Sequence, residues 1–308
     1  MTQRCAVIVP TWQAARHLPH LLAQLRIQSV PADPVLIIDS SSTDGTVDIA
    51  RAHGCQVEVI PKAAFNHGGT RNRGAELVGA ELLVFMTQDA LPVDAHFLEF
   101  LTAPLRDGRA AASYARQVSY EHANPAERLA RAWNYTDQSR IRTAADVPAL
   151  GVKAYFYSNV ASAVRRDRFA AVGGFPDDVI MNEDMVLCAK LLAAGDPIAY
   201  CAEAMVRHSH NYSLKQQFRR YFDIGAFFAS HGHLLPGCSL GGEGARFALA
   251  QLGLLLAHGH PWWALRSPFD SAAKFAAFHL GKRHRYLPLP VKRTLSMHAF
   301  HWTDTKAH

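Results

Sequence analysis

The chain has 308 residues, 49% of them hydrophobic, and a formal charge of +6, so it can bury a substantial core in one large domain or in a domain with an extension. A mean hydropathy of -0.05 is typical of a globular protein rather than a membrane-embedded one. The most apolar window, 247–257, is far shorter than the roughly 20 residues that span a bilayer.

The cysteines and the opening residues bear on the compartment. The opening residues lack the basic start, apolar centre and small-residue cleavage site of an export signal. The cysteines are scattered, odd in number and without a CxxC pair, which argues against a disulfide framework. They are Cys5, Cys55, Cys188, Cys201 and Cys238. We therefore expect a protein of the cytoplasm.

The first 115 residues alternate short apolar runs with segments of helical spacing. In the first of these segments the leucines recur at the helical period, at Leu18, Leu21, Leu22 and Leu25. Strands are predicted over 5–9, 35–38, 57–60 and 82–86, and further helices over 46–52 and 70–80. Continuous apolar strands separated by helices are typical of a mostly parallel sheet covered on both faces, so we predict an α/β fold.

Beyond residue 115 the pattern is looser. We predict a helix over 127–142, a loop or short strand over 146–157, a strand over 158–164 and a helix over 185–194. Ser213 and Gln216 form a capping-box pattern that opens another helix. A glycine-rich linker over 236–244 then leads to helices over 245–257 and 269–280, which would form a helical extension.

Polar side chains follow two of the predicted strands. Asp39 ends the second strand and Asp89 follows the fourth. Ligands of parallel sheets bind beyond the carboxyl ends of the strands, so Asp39 is a candidate to accept hydrogen bonds from the base or ribose of a nucleotide. We expect Asp44 to cap the next helix instead. In the stretch 65–74, glycines allow close backbone approach to a phosphate and Arg71 offers a fork of donors.

Two adjacent acids, Glu183 and Asp184, begin a predicted helix. A carboxylate in this position can take a proton from an attacking hydroxyl, but the helix dipole also favours acids there. The residues alone do not separate the two acids.

Three basic side chains further along the chain are candidates for the same site. His208, in a His-x-His pattern after an expected strand, is a candidate metal ligand, and His210 is the alternative. Arg219 and Arg220 lie on the following helix and suit bidentate contacts to a diphosphate. Because consecutive residues diverge by about 100° on a helix, only one of these arginines is expected to face the ligand.

The chain also carries a specific series of motifs. They occupy 7–11, 37–46, 65–74, 87–92, 182–184, 208–213 and 218–221. Together they resemble the family-2 inverting glycosyltransferases of the GT-A fold, which bind a nucleotide-diphospho-sugar. The variants Phe65-Asn66-His67-Gly68-Gly69 and Thr87-Gln88-Asp89 resemble the rhamnosyltransferase branch of that family.

The resemblance implies a reaction and a role for each residue. The donor would be dTDP-L-rhamnose and the acceptor a hydroxyl of a bacterial surface glycan such as an O-antigen. The family pattern assigns the general base to the second acid, Asp184, with Glu183 in support. Residues expected to bind the nucleotide-sugar are Pro10, Thr11, Asp39, Arg71, Gln88, Arg219 and Arg220.

Two positions depart from the family pattern. Asp39 is followed by Ser40 rather than by a second aspartate, and the DxD metal motif is reduced to Thr87-Gln88-Asp89. One carboxylate and the donor's phosphate oxygens can still hold Mg²⁺, which keeps several waters. An additional histidine ligand favours Mn²⁺ somewhat. We expect Asp89 and His208 to bind Mg²⁺ or Mn²⁺.

The predicted catalytic domain covers 1–235, with a nucleotide-binding half at 1–115 and an acceptor-binding half at 116–235. The extension over 236–308 ends in a basic, aromatic tail with cations at Lys282, Arg283, Arg285, Lys292 and Arg293. Such a tail is either a solvated surface or a contact for anionic lipid head groups. In the second case the acceptor would be lipid-linked and the enzyme peripheral on the cytoplasmic face of the inner membrane. We expect no nucleic acid partner.

Two other functions remain open. A nucleotidyltransferase-like enzyme has the same kind of sheet and also uses a metal, but it requires a glycine-rich turn after the first strand. Residues 10–12 contain no such turn. A non-catalytic sugar-nucleotide-binding protein would explain the degenerate metal motif. A dehydrogenase is disfavoured because no GxGxxG follows an early strand.

Overall fold

The computed structural model describes residues 3–237 and 242–303. Cys238 and the centre of the predicted linker lie outside these residues. The chain divides into two compact units that interleave in sequence. Unit 1 comprises 1–120, 135–177 and 183–208, and unit 2 comprises 121–134, 178–182 and 209–308. The functional division predicted between 235 and 236 stays a prediction.

The described residues form the following strands and α-helices. The strands are β1 (Cys5–Thr11), β2 (Ala32–Asp39), β3 (Gln56–Val59), β4 (Leu82–Met86), β5 (Leu91–Pro92), β6 (Ala112–Val118), β7 (Arg140–Arg142), β8 (Ala161–Arg165) and β9 (Ile198–Arg207). The helices are α1 (Leu18–Arg26), α2 (Thr46–Ala52), α3 (His67–Leu77), α4 (Phe97–Arg106), α5 (Pro125–Asn134), α6 (Val147–Leu150), α7 (Arg166–Ala171), α8 (Glu183–Ala193), α9 (Leu214–His231), α10 (Glu243–Ala257), α11 (Pro261–Lys282) and α12 (Leu289–Leu295).

All these strands belong to one sheet in unit 1. Its order is β3-β2-β1-β4-β8-β6-β9-β5, and β7 pairs with β9 outside this path. The first four strands run parallel, as the sequence predicts. The strands of the second half add antiparallel pairs, because β8 runs against both β4 and β6.

This strand order gathers several segments at one edge of the sheet. Thr11 is opposite Asp39 where β1 and β2 end. Met86, at the end of β4, is opposite Ala161, at the start of the antiparallel β8. The ends of the parallel strands β6 and β9 meet at Val118 and Arg207. The carboxyl ends of β1, β2, β4, β6 and β9 therefore share an edge with the beginning of β8.

The core of unit 1 fills both faces of the sheet. The runs 5–9 and 82–86 are wholly buried, which explains why they read as unbroken apolar stretches. The leucine face predicted for α1 is buried against the sheet's apolar cluster. On the other face, Gly74 of α3 packs so closely that a Cβ there would approach Ile8 Cγ2 to 2.5 Å.

Unit 2 contains the long helices α9 and α11. A Cβ at Gly225 would meet the Phe278 carbonyl oxygen at 2.1 Å, and one at Gly281 would meet the Phe222 carbonyl oxygen at 2.0 Å. Only glycine permits so close a crossing. In the same unit, Asp223 accepts hydrogen bonds from the backbone N–H groups of Met297 and His298, which attaches the C-terminal segment to α9.

Several predicted boundaries were wrong. The helix over 127–142 ends at Asn134, and 140–142 forms β7 because these residues pair with β9. The segment 146–157, predicted as a loop or short strand, is a run of 3-10 and α-helical turns. The helix expected from residue 269 begins at Pro261, which suits a first helical turn. No helix among residues 3–237 and 242–303 is long and apolar enough to cross a bilayer.

Candidate functional site

Asp39 organises the turn that follows β2. It is fully buried, and its carboxylate accepts hydrogen bonds from the Thr11 hydroxyl at 2.9 Å and from both the N–H and the hydroxyl of Ser42 at 2.7 Å. Asp44 was predicted to cap α2, but the N-cap residue is Gly45, and Asp44 instead accepts hydrogen bonds from the Ala15 and Thr46 N–H groups beside it. A carboxylate has about four acceptor sites, and the three donors to Asp39 use three of them.

Gln88 joins the end of β4 to the end of β1. Its amide accepts a hydrogen bond from the Trp12 N–H at 2.8 Å and donates one to the Trp12 carbonyl at 3.1 Å. The Trp12 ring is partly exposed, and the Lys62 ammonium lies 3.7 Å from its centroid. Pro10 precedes this segment on β1 and is half-buried. Gln88 thus fixes the backbone on which an aromatic ring and a cation are presented.

The glycine-rich stretch forms the first turn of α3 rather than a separate loop. The helix predicted over 70–80 starts at His67, because Asn66 caps it by accepting from the N–H groups of Gly68 and Gly69. A Cβ at Gly68 would lie 1.8 Å from the Pro176 carbonyl oxygen. This glycine is therefore required for chain packing.

Arg71 points from α3 into a buried ion pair. Its guanidinium donates to the Glu183 carboxylate at 3.2 Å and to the His67 carbonyl at 2.7 Å, and both charged side chains are almost fully buried. The sequence assigns Arg71 to a phosphate, whereas in the structure its guanidinium neutralises the first acid of the pair. The contact role with a ligand stays a prediction.

Glu183 and Asp184 are neighbours with opposite ionisation tendencies. Burial by itself raises the pKa of Glu183, but the charge of Arg71 and the Asn159 amide outweigh it and hold that pKa below its usual range. Burial and the adjacent Glu183 charge raise the pKa of Asp184 to about 7, although part of the Asp184 surface stays open. The backbone N–H groups of Asn159 and Met185 donate to Asp184. The second acid is therefore the one poised to exchange a proton near neutral pH.

Asp89 and His208 form the candidate metal centre. The His208 Nε2 lies 3.6 Å from the Asp89 carboxylate. The His208 Nδ1 lies 2.9 Å from the Gln117 amide oxygen, and this contact orients the ring so that Nε2 faces Asp89. An oxygen and a nitrogen ligand suit a divalent ion, and Gln117 supplies the outer contact that orients a ligating histidine.

A hydrogen-bond network connects this metal centre to the acid pair. The Gln117 amide nitrogen donates to Tyr135 and, at 2.9 Å, to the Ser158 hydroxyl. The next residue, Asn159, donates its side-chain amide to Glu183 at 3.1 Å and its N–H to Asp184 at 3.2 Å. The same edge of the sheet thus holds both halves of the candidate site.

Gln117, Ser158 and Asn159 were not among the site residues predicted from the sequence. Gln117 lies near the end of β6, and the other two lie just before β8, which begins at Ala161. The sequence placed this polar pair at the start of the strand predicted over 158–164, and its role depends on the antiparallel direction of β8.

Arg219 and Arg220 lie on α9 in unit 2. Arg219 is half-buried and lines a mainly apolar cavity of about 510 Å³ together with Leu214, Lys215 and Phe218. Arg220 is exposed. The two arginines differ in surroundings, as their divergence on a helix predicts, and their role with a diphosphate stays a prediction.

A model of the family described as Glycosyl transferase family 2 matches residues 6–173, which contain β1, β4 and the glycine-rich stretch. The chain belongs to this family. It is therefore a glycosyltransferase, as the resemblance implied.

Curated relatives match over nearly the whole chain. The O-antigen chain rhamnosyltransferase RfbN of Salmonella typhimurium is 38% identical over 98% of this chain and 96% of its own length. The O-antigen chain rhamnosyltransferase WbaN of Salmonella anatum is 40% identical over 97% of this chain and 95% of its own length. The predicted membership of a rhamnosyltransferase-like branch is thereby confirmed.

Solved structures agree on the fold. The mannosyltransferase PcManGT of Pyrobaculum calidifontis, in complex with GDP-Man and Mn²⁺, matches with a TM-score of 0.58, 19% identity and coverage of 98% of this chain and 85% of that one. The TarS 1–349 structure from S. aureus matches with a TM-score of 0.55, 14% identity and coverage of 91% and 90%. The predicted α/β fold of the GT-A class is confirmed.

Proposed function

We propose that this family member transfers L-rhamnose from dTDP-L-rhamnose to a hydroxyl of a glycan acceptor during O-antigen-like polysaccharide synthesis, with inversion at the anomeric carbon. The names of the two Salmonella relatives support the sugar and the pathway class. The same family membership favours glycosyl transfer over the nucleotidyltransferase-like and non-catalytic alternatives.

The observation that carries the proposal is that the pKa values of the two adjacent acids shift in opposite directions. Arg71 keeps Glu183 ionised, and that charge together with burial raises the pKa of Asp184 to about 7. A general base is most effective when its pKa lies near the working pH. In the proposed reaction Asp184 removes the acceptor's hydroxyl proton as that oxygen attacks the anomeric carbon and the nucleoside diphosphate leaves from the opposite face.

The donor side of the site is proposed to use the edge around Asp39 and Asp89. Asp89 and His208 would hold Mg²⁺ or Mn²⁺, which supplies positive charge for the departing diphosphate. Thr11, Asp39 and Gln88 keep the ends of β1 and β2 in a fixed shape for the nucleotide. Pro10 and Arg71 stay predicted donor-binding residues, as do Arg219 and Arg220 of unit 2.

The setting of the reaction is also a proposal. We take residues 1–235 as the catalytic part and 236–308 as an extension. The acceptor is proposed to be lipid-linked, and the enzyme to work peripherally on the cytoplasmic face of the inner membrane.

A donor screen tests the proposal. Purified protein is incubated with dTDP-L-rhamnose, UDP-sugars and GDP-sugars, with Mn²⁺ or with a chelator, and release of the nucleoside diphosphate is measured. We expect turnover of dTDP-L-rhamnose that depends on the metal. Preference for a UDP- or GDP-sugar would refute dTDP-L-rhamnose as the donor. Full turnover in the presence of the chelator would refute the role of Asp89 and His208 as metal ligands.

A further inference from the structure

Helix α11 has a buried face and a separate exposed apolar face. The buried face lies within unit 2 and includes Ala264, Ser267, Asp270, Ala277 and Gly281. The close glycine crossing with α9 accounts for that side of the helix. An ordinary surface helix would be polar on its remaining face, because charged residues normally cover the side away from the core.

The outer face of α11 carries large apolar side chains instead. Trp262, Leu265 and Phe269 are 67%, 64% and 69% exposed. Ala272 and Ala276 continue the same spacing of three and four residues and are exposed too. We call these five residues the α11 stripe. It contains no charged residue over four turns of helix, which is unusual for a surface that only meets water.

The neighbouring helix α10 adds to this surface. Leu249 and Leu256 are among its most exposed side chains, and Leu256 lies just before the short connection that leads to Trp262. Gln251 of α10 donates to the Ala126 carbonyl of α5 at 3.1 Å, so the inner side of α10 is attached to α5 by a polar contact. Both helices therefore turn large apolar residues outward.

The charge around the α11 stripe is mostly positive. Residues 242–303 contain eight lysines and arginines and two acids, Glu243 and Asp270. Asp270 is buried and lies 3.2 Å from the Arg266 guanidinium. At the end of α11, the cations Lys282, Arg283 and Arg285 are all exposed. An apolar face bordered by cations is complementary to a layer of anionic lipid head groups over acyl chains.

We propose that the α11 stripe is a docking surface for an anionic lipid bilayer, with Trp262, Leu265 and Phe269 inserted at the boundary of head groups and acyl chains. This extends the proposed peripheral location and names the surface responsible. A second copy of the chain fits less well, because two such surfaces would bring like charges together. Docking in this way needs no spanning helix, and none occurs among residues 3–237 and 242–303.

The surface differs from the basic tail that the sequence singles out. Within that tail Lys292 and Trp302 are buried, the Arg293 guanidinium donates to the Trp302 carbonyl at 2.9 Å, and Lys292 lies 5.4 Å from the Trp302 ring. Part of the tail is thus engaged within unit 2. The exposed cations nearest α11 border the surface, while the apolar contact itself comes from α11.

Vesicle binding tests the proposal. The full chain is mixed at low salt with vesicles of phosphatidylcholine alone or with added phosphatidylglycerol, and partitioning is measured by co-sedimentation. We expect binding to the anionic vesicles, which weakens as salt screens the cations. The double variant Leu265→Glu/Phe269→Glu should lower partitioning at least roughly tenfold, because it replaces inserted apolar groups by charges. Ile27→Glu, at an exposed apolar position of unit 1, is the matched control and should bind as the unaltered chain does.

Three results would overturn the proposal. The first is no binding of the unaltered chain to anionic vesicles, and the second is equal binding by the double variant. The third is a dimer in solution that the double variant converts to a monomer, which would assign the stripe to a second copy. Hydrolysis of a soluble donor should stay unchanged in the double variant, so failure of docking and failure of the proposed reaction are distinguishable.

Discussion

The turn at Asp39 and the acid pair at 183–184 lie at the same edge of one sheet, yet their buried carboxylates have different neighbours. Asp39 is surrounded by three neutral donors from Thr11 and Ser42. Asp184 receives two backbone N–H groups but has another carboxylate as its neighbour in the chain, and its pKa rises to about 7.

The difference shows what makes a buried acid suitable for proton transfer. At Asp39 the three donors tie the carboxylate to Thr11 and Ser42, which holds the turn in a fixed shape. At Asp184, burial and the negative charge of Glu183, which Arg71 keeps ionised, both disfavour the charged form and raise its pKa. The Asp39 turn thus suits the proposed binding role, and the acid pair suits the proposed exchange of a proton.

Replacement of Asp184 by asparagine should have the largest effect. Asp184→Asn keeps the shape but removes the basic atom, so we expect kcat for sugar transfer to fall about a thousandfold. Thermal unfolding should be almost unchanged. Asp48→Asn, at an exposed acid on α2, is the control and should keep full activity. Undiminished transfer by Asp184→Asn would remove this residue as the base.

Glu183→Gln removes the charge of Glu183 but keeps the shape of its side chain. It leaves the buried Arg71 guanidinium without its counter-charge, which we expect to lower the free energy of unfolding by about 3 kcal/mol in urea titrations. The pKa of Asp184 should fall, because a neighbouring negative charge has been removed. The double variant Arg71→Met/Glu183→Gln should regain part of the stability. An unchanged stability of the single variant would contradict the ion pair.

The pH dependence of activity should report on Asp184. A base acts in its ionised form, and the pKa of this one is raised to about 7, so activity should rise with pH through about 7. Below that value kcat/KM should fall by about tenfold per pH unit. The measurement is a rate profile from acidic to mildly basic pH at saturating metal. A profile that is flat across this range would refute the assignment.

Asp39→Asn should have the smallest effect and no influence on that profile. The asparagine side chain keeps the volume but replaces one carboxylate oxygen by an NH₂ group, which faces hydrogen-bond donors, so about one hydrogen bond of the turn is lost. We expect KM for the nucleotide-sugar to rise about fivefold, which corresponds to about 1 kcal/mol. A shifted pH profile in Asp39→Asn would mean that the Asp39 turn and the acid pair are not independent in function.

The sequence predicted those parts of unit 1 whose signals are local. The wholly buried runs 5–9 and 82–86 could only be central strands, and the leucines of α1 could only face the core. Asp39 and Asp89 follow from the rule that parallel strands end at the ligand side of the sheet. The rule needs no knowledge of which strands are neighbours.

The remaining features depend on contacts between distant parts of the chain. Arg71 and Glu183 are 112 positions apart, and no local pattern announces that they pair. Gln117 and Asn159 reach the site because β8 runs against β4 and β6, a direction that the apolar pattern does not encode. The helix predicted over 127–142 failed for the same reason, since β7 exists only through its pairing with β9.

The Gln117 side chain contacts both the candidate metal centre and the network that leads to the acid pair. Its oxygen orients the imidazole of His208, and its nitrogen reaches Ser158, next to the residue that binds both acids. Any redesign of this position would alter ion affinity and proton affinity together, which makes it a poor target for changing one property alone. The same linkage makes its amide a natural spectroscopic reporter, since an isotope label there would sense the arrival of metal and of acceptor in a single spectrum.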